Sequence, residues 1–193
     1  MKKIAITFQV VLVLGLAMAA CSSPPIEEMN RAQDAVTIAE NDVNAVIYAG
    51  NTLVRAKDAL DKMQSEADAK RYDEAKNYAA EAIMNAERAI ADGRSGRERA
   101  REEAGNLFNS LSGAFAEIQS AINAAKGVPN LLLDFNAVEQ DLALARRTYD
   151  DALLSLRNEN YPDAIAKGQT VRSLLSSINT RINEAAVETN RKQ

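Results

Sequence analysis

The sequence predicts an all-α protein: antiparallel helical hairpins forming an elongated bundle with coiled-coil-like seams. Three observations carry this. Alanine occurs 35 times in 193 residues, against 8 glycines and 4 prolines, a balance that favours helix over turn and strand. Apolar residues recur at alternating steps of three and four along most of the chain, the period of a helix with one buried face. Short clusters of Gly, Asn, Pro and acidic residues separate these runs and supply helix stops and starts.

The N-terminus reads as an address. Lys2 and Lys3 precede 17 uncharged residues, Ile4 to Ala20. That run is short of the ~20 residues a spanning helix needs and fits a secretory signal peptide. It ends Met18-Ala19-Ala20-Cys21-Ser22. Small residues before a cysteine that follows an apolar run resemble the bacterial lipobox, with Met18 where that pattern prefers Leu. The resemblance implies removal of residues 1–20 and lipidation of Cys21, with palmitate-type acyl chains anchoring the protein to a membrane. More than one acyl chain makes a stable anchor, at ~0.8 kcal/mol per buried CH₂. Ser22, in place of an aspartate that would retain the protein at the inner membrane, implies sorting to the outer membrane of a Gram-negative host, facing the periplasm. Two other readings stay open: ordinary cleavage after Ala19, which leaves Cys21 as a free thiol, and an uncleaved anchor. Residues 21–25 form a short tether.

The helices follow in order. The first carries Met29, Ala32, Val36, Ala39, Val43 and Val46 on its buried seam and stops at Gly50, with Asn51 or Thr52 placed to cap the next. The second carries Leu53, Ala56, Leu60, Met63 and Ala67, then a turn at Lys70-Arg71-Tyr72-Asp73. The third carries Tyr72, Ala75, Ala79, Ala82, Ala86 and Ala89 and ends near Asp92-Gly93. Ser95-Gly96-Arg97-Glu98 has capping-box spacing for a restart, and a continuous helix through this point is the alternative. The fourth carries Leu107, Leu111, Ala114, Ile118, Ala121 and Ala125 and ends at Gly127-Val128-Pro129-Asn130, where Asn130 is placed to cap. The fifth carries Leu131, Phe135, Val138, Leu142, Ala145, Tyr149, Ala152 and Leu156 at strict 4,3 spacing. Asn160 caps the sixth, which carries Ala164, Gly168, Val171, Leu175, Ile178, Ile182 and Ala185, and residues 188–193 fray. The organisation is therefore an Ala-rich helical region over residues 26–126 and a C-terminal hairpin over residues 130–190.

A repeat runs through these elements. Tyr72-Asp73-Glu74-Ala75 and Tyr161-Pro162-Asp163-Ala164 lie 89 residues apart, and at the same offset Ala56 matches Ala145 and Asp61 matches Asp150. Residues 31–94, with their Ala-spaced helices and the Lys70-Arg71-Tyr72-Asp73-Glu74-Ala75 turn, resemble an uncharacterised Ala-rich domain of bacterial envelope lipoproteins. That domain is similar, distantly, to tetratricopeptide hairpins, although the helices here exceed the 34-residue unit. Some relatives add a peptidoglycan-binding domain. It has no counterpart here, so that activity does not carry over.

Chemistry-bearing patterns are few. With no His and one Cys, the commonest general base and metal ligand are missing, and no internal disulfide can form. A net charge of −4 argues against nucleic acid. No phosphate loop, GxSxG, HExxH or EF-hand spacing occurs, and adjacent Asp150 and Asp151 diverge on a helix. The expectation is no enzyme, no cofactor, no metal and no small-molecule substrate. The candidate interaction residues are the turn tyrosines Tyr72 and Tyr161 and the arginine cluster Arg94, Arg97, Arg99 and Arg101. That cluster reads either as a solvated surface with pairs such as Arg99–Glu103 or as a contact for anionic envelope material. The expected role is an adaptor or assembly factor acting on an envelope protein. The alternative is a self-associating coiled-coil spacer of the periplasm that contacts peptidoglycan. Because alanine buries far less area than leucine, the C-terminal hairpin is expected to be the more stable half. Hydrogen–deuterium exchange should show its amides protected longest; longer protection around Ala75–Ala89 would contradict this.

Overall fold

The computed structural model describes residues 23–191. Among them are six helices and no strand: α1 (Ile26–Asn41), α2 (Val43–Tyr48), α3 (Gly50–Asp68), α4 (Tyr72–Lys126), α5 (Phe135–Arg157) and α6 (Tyr161–Arg191). The signal-like residues 1–20, Cys21 and Ser22 lie outside the described residues, as do Lys192 and Gln193. The protein is an all-α helical bundle. It divides into two compact units, one ending at Arg94 and one beginning at Ser95.

The first unit packs α1, α2, α3 and the opening part of α4. Ten of the thirteen buried residues of its core are alanines, with Val36, Leu53 and Met63 as the larger members. Met29, Leu60, Tyr78, Ile83 and Ile90 close the core from its edges. A seam this small lets helix backbones come close. At Gly93 of α4 an added Cβ would lie 2.5 Å from the Ala45 nitrogen and 2.6 Å from the Asn44 carbonyl carbon.

That contact explains two departures from the sequence reading. Gly93 was expected to end a helix; instead α4 runs unbroken through Gly93 and Gly96. The glycine is there because another backbone occupies the space of a side chain. Ser95 therefore does not cap a restart, and the continuous alternative is the correct one. The first helix, in turn, is not continuous to Val46. It stops at Asn41, and the Asp42 carboxylate caps α2 by accepting from the Ala45 N–H at 2.9 Å. This break changes the register, so Val43 and Val46, expected in the seam, are 67 % and 50 % exposed, and Ala45 faces inward. Neither Asn51 nor Thr52 caps α3; that position is Ala49, and Thr52 is buried.

The second unit packs the remainder of α4, from Ser95, with α5 and α6 around larger side chains. Leu111, Ile122, Val138, Val171 and Ile178 are each at most 1 % exposed. Phe108 and Phe115 both stack against Tyr149, with centroids 5.5 and 5.3 Å away. All seven predicted seam residues of α6 are buried. Two boundaries differ from expectation. Asn130 adopts a left-handed conformation (φ 59°) and caps nothing; Asp134 caps α5 by accepting from the Ala137 N–H at 3.0 Å. The C-terminal segment does not fray at Glu188, because Thr189 is buried and donates to the Ala185 carbonyl at 2.8 Å, so α6 runs to Arg191.

The 89-residue repeat is structural. Lys70 and Glu159 both adopt left-handed backbone (φ 59° and 57°). Each ends its helix in the same two-bond closure: Lys70 N–H to Ala67 O and Arg71 N–H to Glu66 O, both 2.9 Å; Glu159 N–H to Leu156 O and Asn160 N–H to Ser155 O, 3.0 and 2.9 Å. The helix crossings correspond too. Thr52 donates to Asp92 at 3.3 Å in the first unit, and Arg181 donates to Asp141 at the same two offset positions in the second.

Gly93→Ala should destabilise the first unit by about 1–3 kcal/mol, since both colliding groups are backbone. Gly113→Ala, on an α4 turn with open space around the new Cβ, should instead stabilise by up to ~1 kcal/mol. Urea denaturation of both variants checks this, and equal effects at the two glycines would contradict it.

Candidate functional site

The residues singled out in the sequence occupy unequal positions. Tyr72 opens α4 and is half-buried in its turn, while Tyr161 opens α6 and is 5 % exposed. The helix-ending closure before each tyrosine sets the direction in which it enters the bundle. Ala75 and Ala164, three residues on, are both fully buried.

Of the arginines, one joins a turn. The Arg97 guanidinium lies 5.8 Å from the Tyr161 ring centroid and donates to Glu159 Oε2 at 2.5 Å. The Glu159 bond is the main influence that raises Arg97 above its ordinary range, so the cation is firmly held. Glu98 forms ion pairs with Arg97 and Arg101, each at 3.6 Å. The expected Arg99–Glu103 pair is not among the ion pairs of the described residues. Instead Arg99 lines a shallow polar cleft with Glu102, Glu103, Asn106, Gln169 and Arg172. Arg94 is exposed. The cluster is thus one turn-locking residue, one cleft residue and two surface residues rather than a single basic patch.

A polar group that sequence spacing only half revealed secures the same turn. Ser155 is 7 % exposed, and its hydroxyl donates to Asp163 Oδ2 at 2.5 Å. Lys167 donates to the same carboxylate oxygen at 2.6 Å and to Ser155 Oγ at 3.0 Å. The Asp163/Lys167 pair is visible as an i,i+4 spacing, but Ser155 comes from α5 and only the fold adds it. The Lys167 ammonium first, then the Ser155 hydroxyl, hold the Asp163 carboxyl below the usual carboxylate range. In the first unit Arg71 does the same to Glu66, chiefly through their hydrogen bond. These groups ligate one another and clamp turns. Among the described residues no group of three or more His, Cys, Asp or Glu is placed to hold a metal ion.

Sequence reasoning also missed a cleft of about 310 Å³ in the second unit. It lies between α4 and α6, with Leu111, Ala114, Ile118 and Leu175 on its floor and Ser110, Arg172, Ser176 and Asn179 among its rim residues. A groove left by small polar residues on two facing helices has no sequence signature beyond the absence of large side chains.

With this geometry in place, the comparisons with known proteins are brief. Residues 27–104, about two fifths of the chain, match a family described as "Domain of unknown function (DUF4398)". The match covers α1, α2, α3 and the first part of α4, and contains the segment 31–94 that the sequence analysis singled out. No curated protein and no solved structure matches the chain.

Asp163 and Glu66 have folded-state pKa values below their unfolded ones. Each therefore contributes stability above the unfolded carboxylate range of ~3.9–4.3, and the contribution is lost as pH falls through the depressed folded value. Asp163→Asn should lower stability at neutral pH and make its decline below pH ~4 shallower. Urea midpoints across that range test it, and an acid limb identical to the parent's would refute the clamp.

Proposed function

We propose that the protein is a lipid-anchored, non-enzymatic component of the bacterial envelope, held to a membrane through Cys21 and acting on other envelope proteins through its helical hairpins. The observation that carries this reading is the position of the only cysteine, directly after a 17-residue uncharged run and two alanines. Ser22 supports placement at the outer membrane, facing the periplasm. No helix among the described residues is long and apolar enough to cross a membrane, so residues 23–191 would lie at the surface of whatever membrane holds them. The match of residues 27–104 to a family of unknown function supports a folded module there. The distant likeness of the Tyr72 and Tyr161 turns to tetratricopeptide hairpins supports an adaptor role over a catalytic one. The second reading, a self-associating spacer of the periplasm, is favoured by the unbroken 55-residue α4.

Cys21→Ala should abolish fatty-acid labelling and move the full-length protein from the membrane fraction to the soluble one. Unchanged labelling and partition would refute the lipid anchor. In-cell cross-linking with mass spectrometry then separates the two roles: one dominant envelope protein linked near Tyr72 or Tyr161 supports the adaptor, and only self-links support the spacer.

A further inference from the structure

We propose that the cleft between α4 and α6 in the second unit is a docking groove for an amphipathic helix of another protein, apolar along its middle and basic towards its ends. The proposal rests on the adaptor reading and names the kind of partner. The cleft floor is apolar. Leu111 and Ile118 of α4, seven residues and so ~10.5 Å apart along the helix, meet Leu175 of α6 there. The lip is short and polar, with Ser110 on α4 and Ser176 and Asn179 on α6. An apolar floor under a low polar lip suits a helix, whose backbone can approach over serines while its larger side chains reach down.

The 89-residue repeat shows what leaves this groove open. At that offset Arg172 and Asn179 of α6 stand where α4 has Ile83 and Ile90. Both isoleucines are half-buried and pack against the alanine core of the first unit. Arg172 and Asn179 are exposed, and both line the cleft. The row that the first unit fills with its own isoleucines is edged by polar side chains in the second. The core position between them is also larger, Leu175 in place of Ala86.

Charge selects the occupant. The cleft runs into the polar cleft of Arg99, Glu102 and Glu103, and shares Ser110 and Arg172 with it. It also runs into a shallow face along α6 that reaches from Gln169 to Glu184, sharing Arg172 and Ser176. Fifteen helical steps make that face ~22 Å long, about four turns. Glu117 stands on the rim of the cleft itself. Glu102, Glu103, Glu117 and Glu184 thus face two guanidinium groups, Arg99 and Arg172, and none of the six has an ion-pair partner among the described residues. Arg181, also on this face, is paired with Asp141. The surplus of carboxylates repels a fatty acid or other anionic amphiphile that the apolar floor alone would accept. It draws a cationic helix, and leaves Arg172 to meet one carboxylate near that helix's middle.

The test is photo-cross-linking of the full-length chain in the cells that express it. The photo-reactive residue p-benzoylphenylalanine is placed at Ser176 in the groove, at exposed Asp150 on α5 as a control, and at exposed Asp73 beside the Tyr72 turn. Ser176 should link to one protein about tenfold above Asp150, through a segment that mass spectrometry reads as an amphipathic helix with Lys or Arg near its ends. Glu102→Lys with Glu103→Lys, both exposed, should cut that link about tenfold and leave the helical circular dichroism unchanged. Ala114→Trp, which fills the cleft, should abolish it. The proposal is overturned if Ser176 links no more than Asp150, or if the charge reversal leaves the yield unchanged. It is equally overturned if Ser176 links to lipid, to glycan, to a second copy of this chain or to an acidic segment. Links at Asp73 without links at Ser176 overturn the groove alone and leave the adaptor reading standing; no protein linked at any position counts against both.

Discussion

Close approach of helix backbones on very small side chains is the constraint from which most of the first unit follows. Alanine contributes little burial per residue, so a core built from it gains stability only if many contacts are made at short range. At Gly93 the Asn44–Ala45 backbone occupies the space a side chain would take. That backbone lies in a separate short helix, α2, which begins after α1 ends at Asn41 and is capped by the Asp42 carboxylate. The turn of register at Asp42 then sends Val43, Val46 and Ile47 outward.

The second unit solves the same geometric problem with different material. Its helices end and start through the same left-handed closure, and its hairpin crosses at the same offset positions as the first. Where the first unit has Ala79, Ala82, Ala86 and Ala89, the positions 89 residues on hold Gly168, Val171, Leu175 and Ile178. Gly168 shows that close approach persists at one point, where an added Cβ would meet the Leu107 side chain at 2.6 Å. A flexible side-chain end can yield there, whereas the backbone facing Gly93 cannot. The Phe108–Tyr149–Phe115 cluster adds edge and tilted ring contacts to this larger core.

The features with functional interest are surfaces. Tyr161 is buried beside the Arg97 guanidinium, which Glu159 holds in place, while Tyr72 is half-buried in its turn. Val43, Val46 and Ile47 leave an exposed apolar face on α2, and a cleft lies between α4 and α6 in the second unit.

The amino-acid order by itself determined the helical class, the seams of α3, α5 and α6, the turn at Lys70–Tyr72 and its counterpart 89 residues on, because these depend on local periodicity and on residues a few positions apart. It also places the only cysteine, Cys21, directly after a 17-residue uncharged run, a pattern legible without any fold. The sequence did not decide the breaks. Gly93 and Gly50 look alike in a one-dimensional string, yet one is a buried crossing point and the other stands in open space. Asn130 and Asp134 are equally good caps on paper, and only the path of the chain into α5 selects Asp134. Ser155 meets Asp163 and Lys167 from a different helix, and Arg97 meets Glu159 across 62 residues. Those choices belong to the tertiary structure, because each is fixed by what a neighbouring helix brings to the same few ångströms of space.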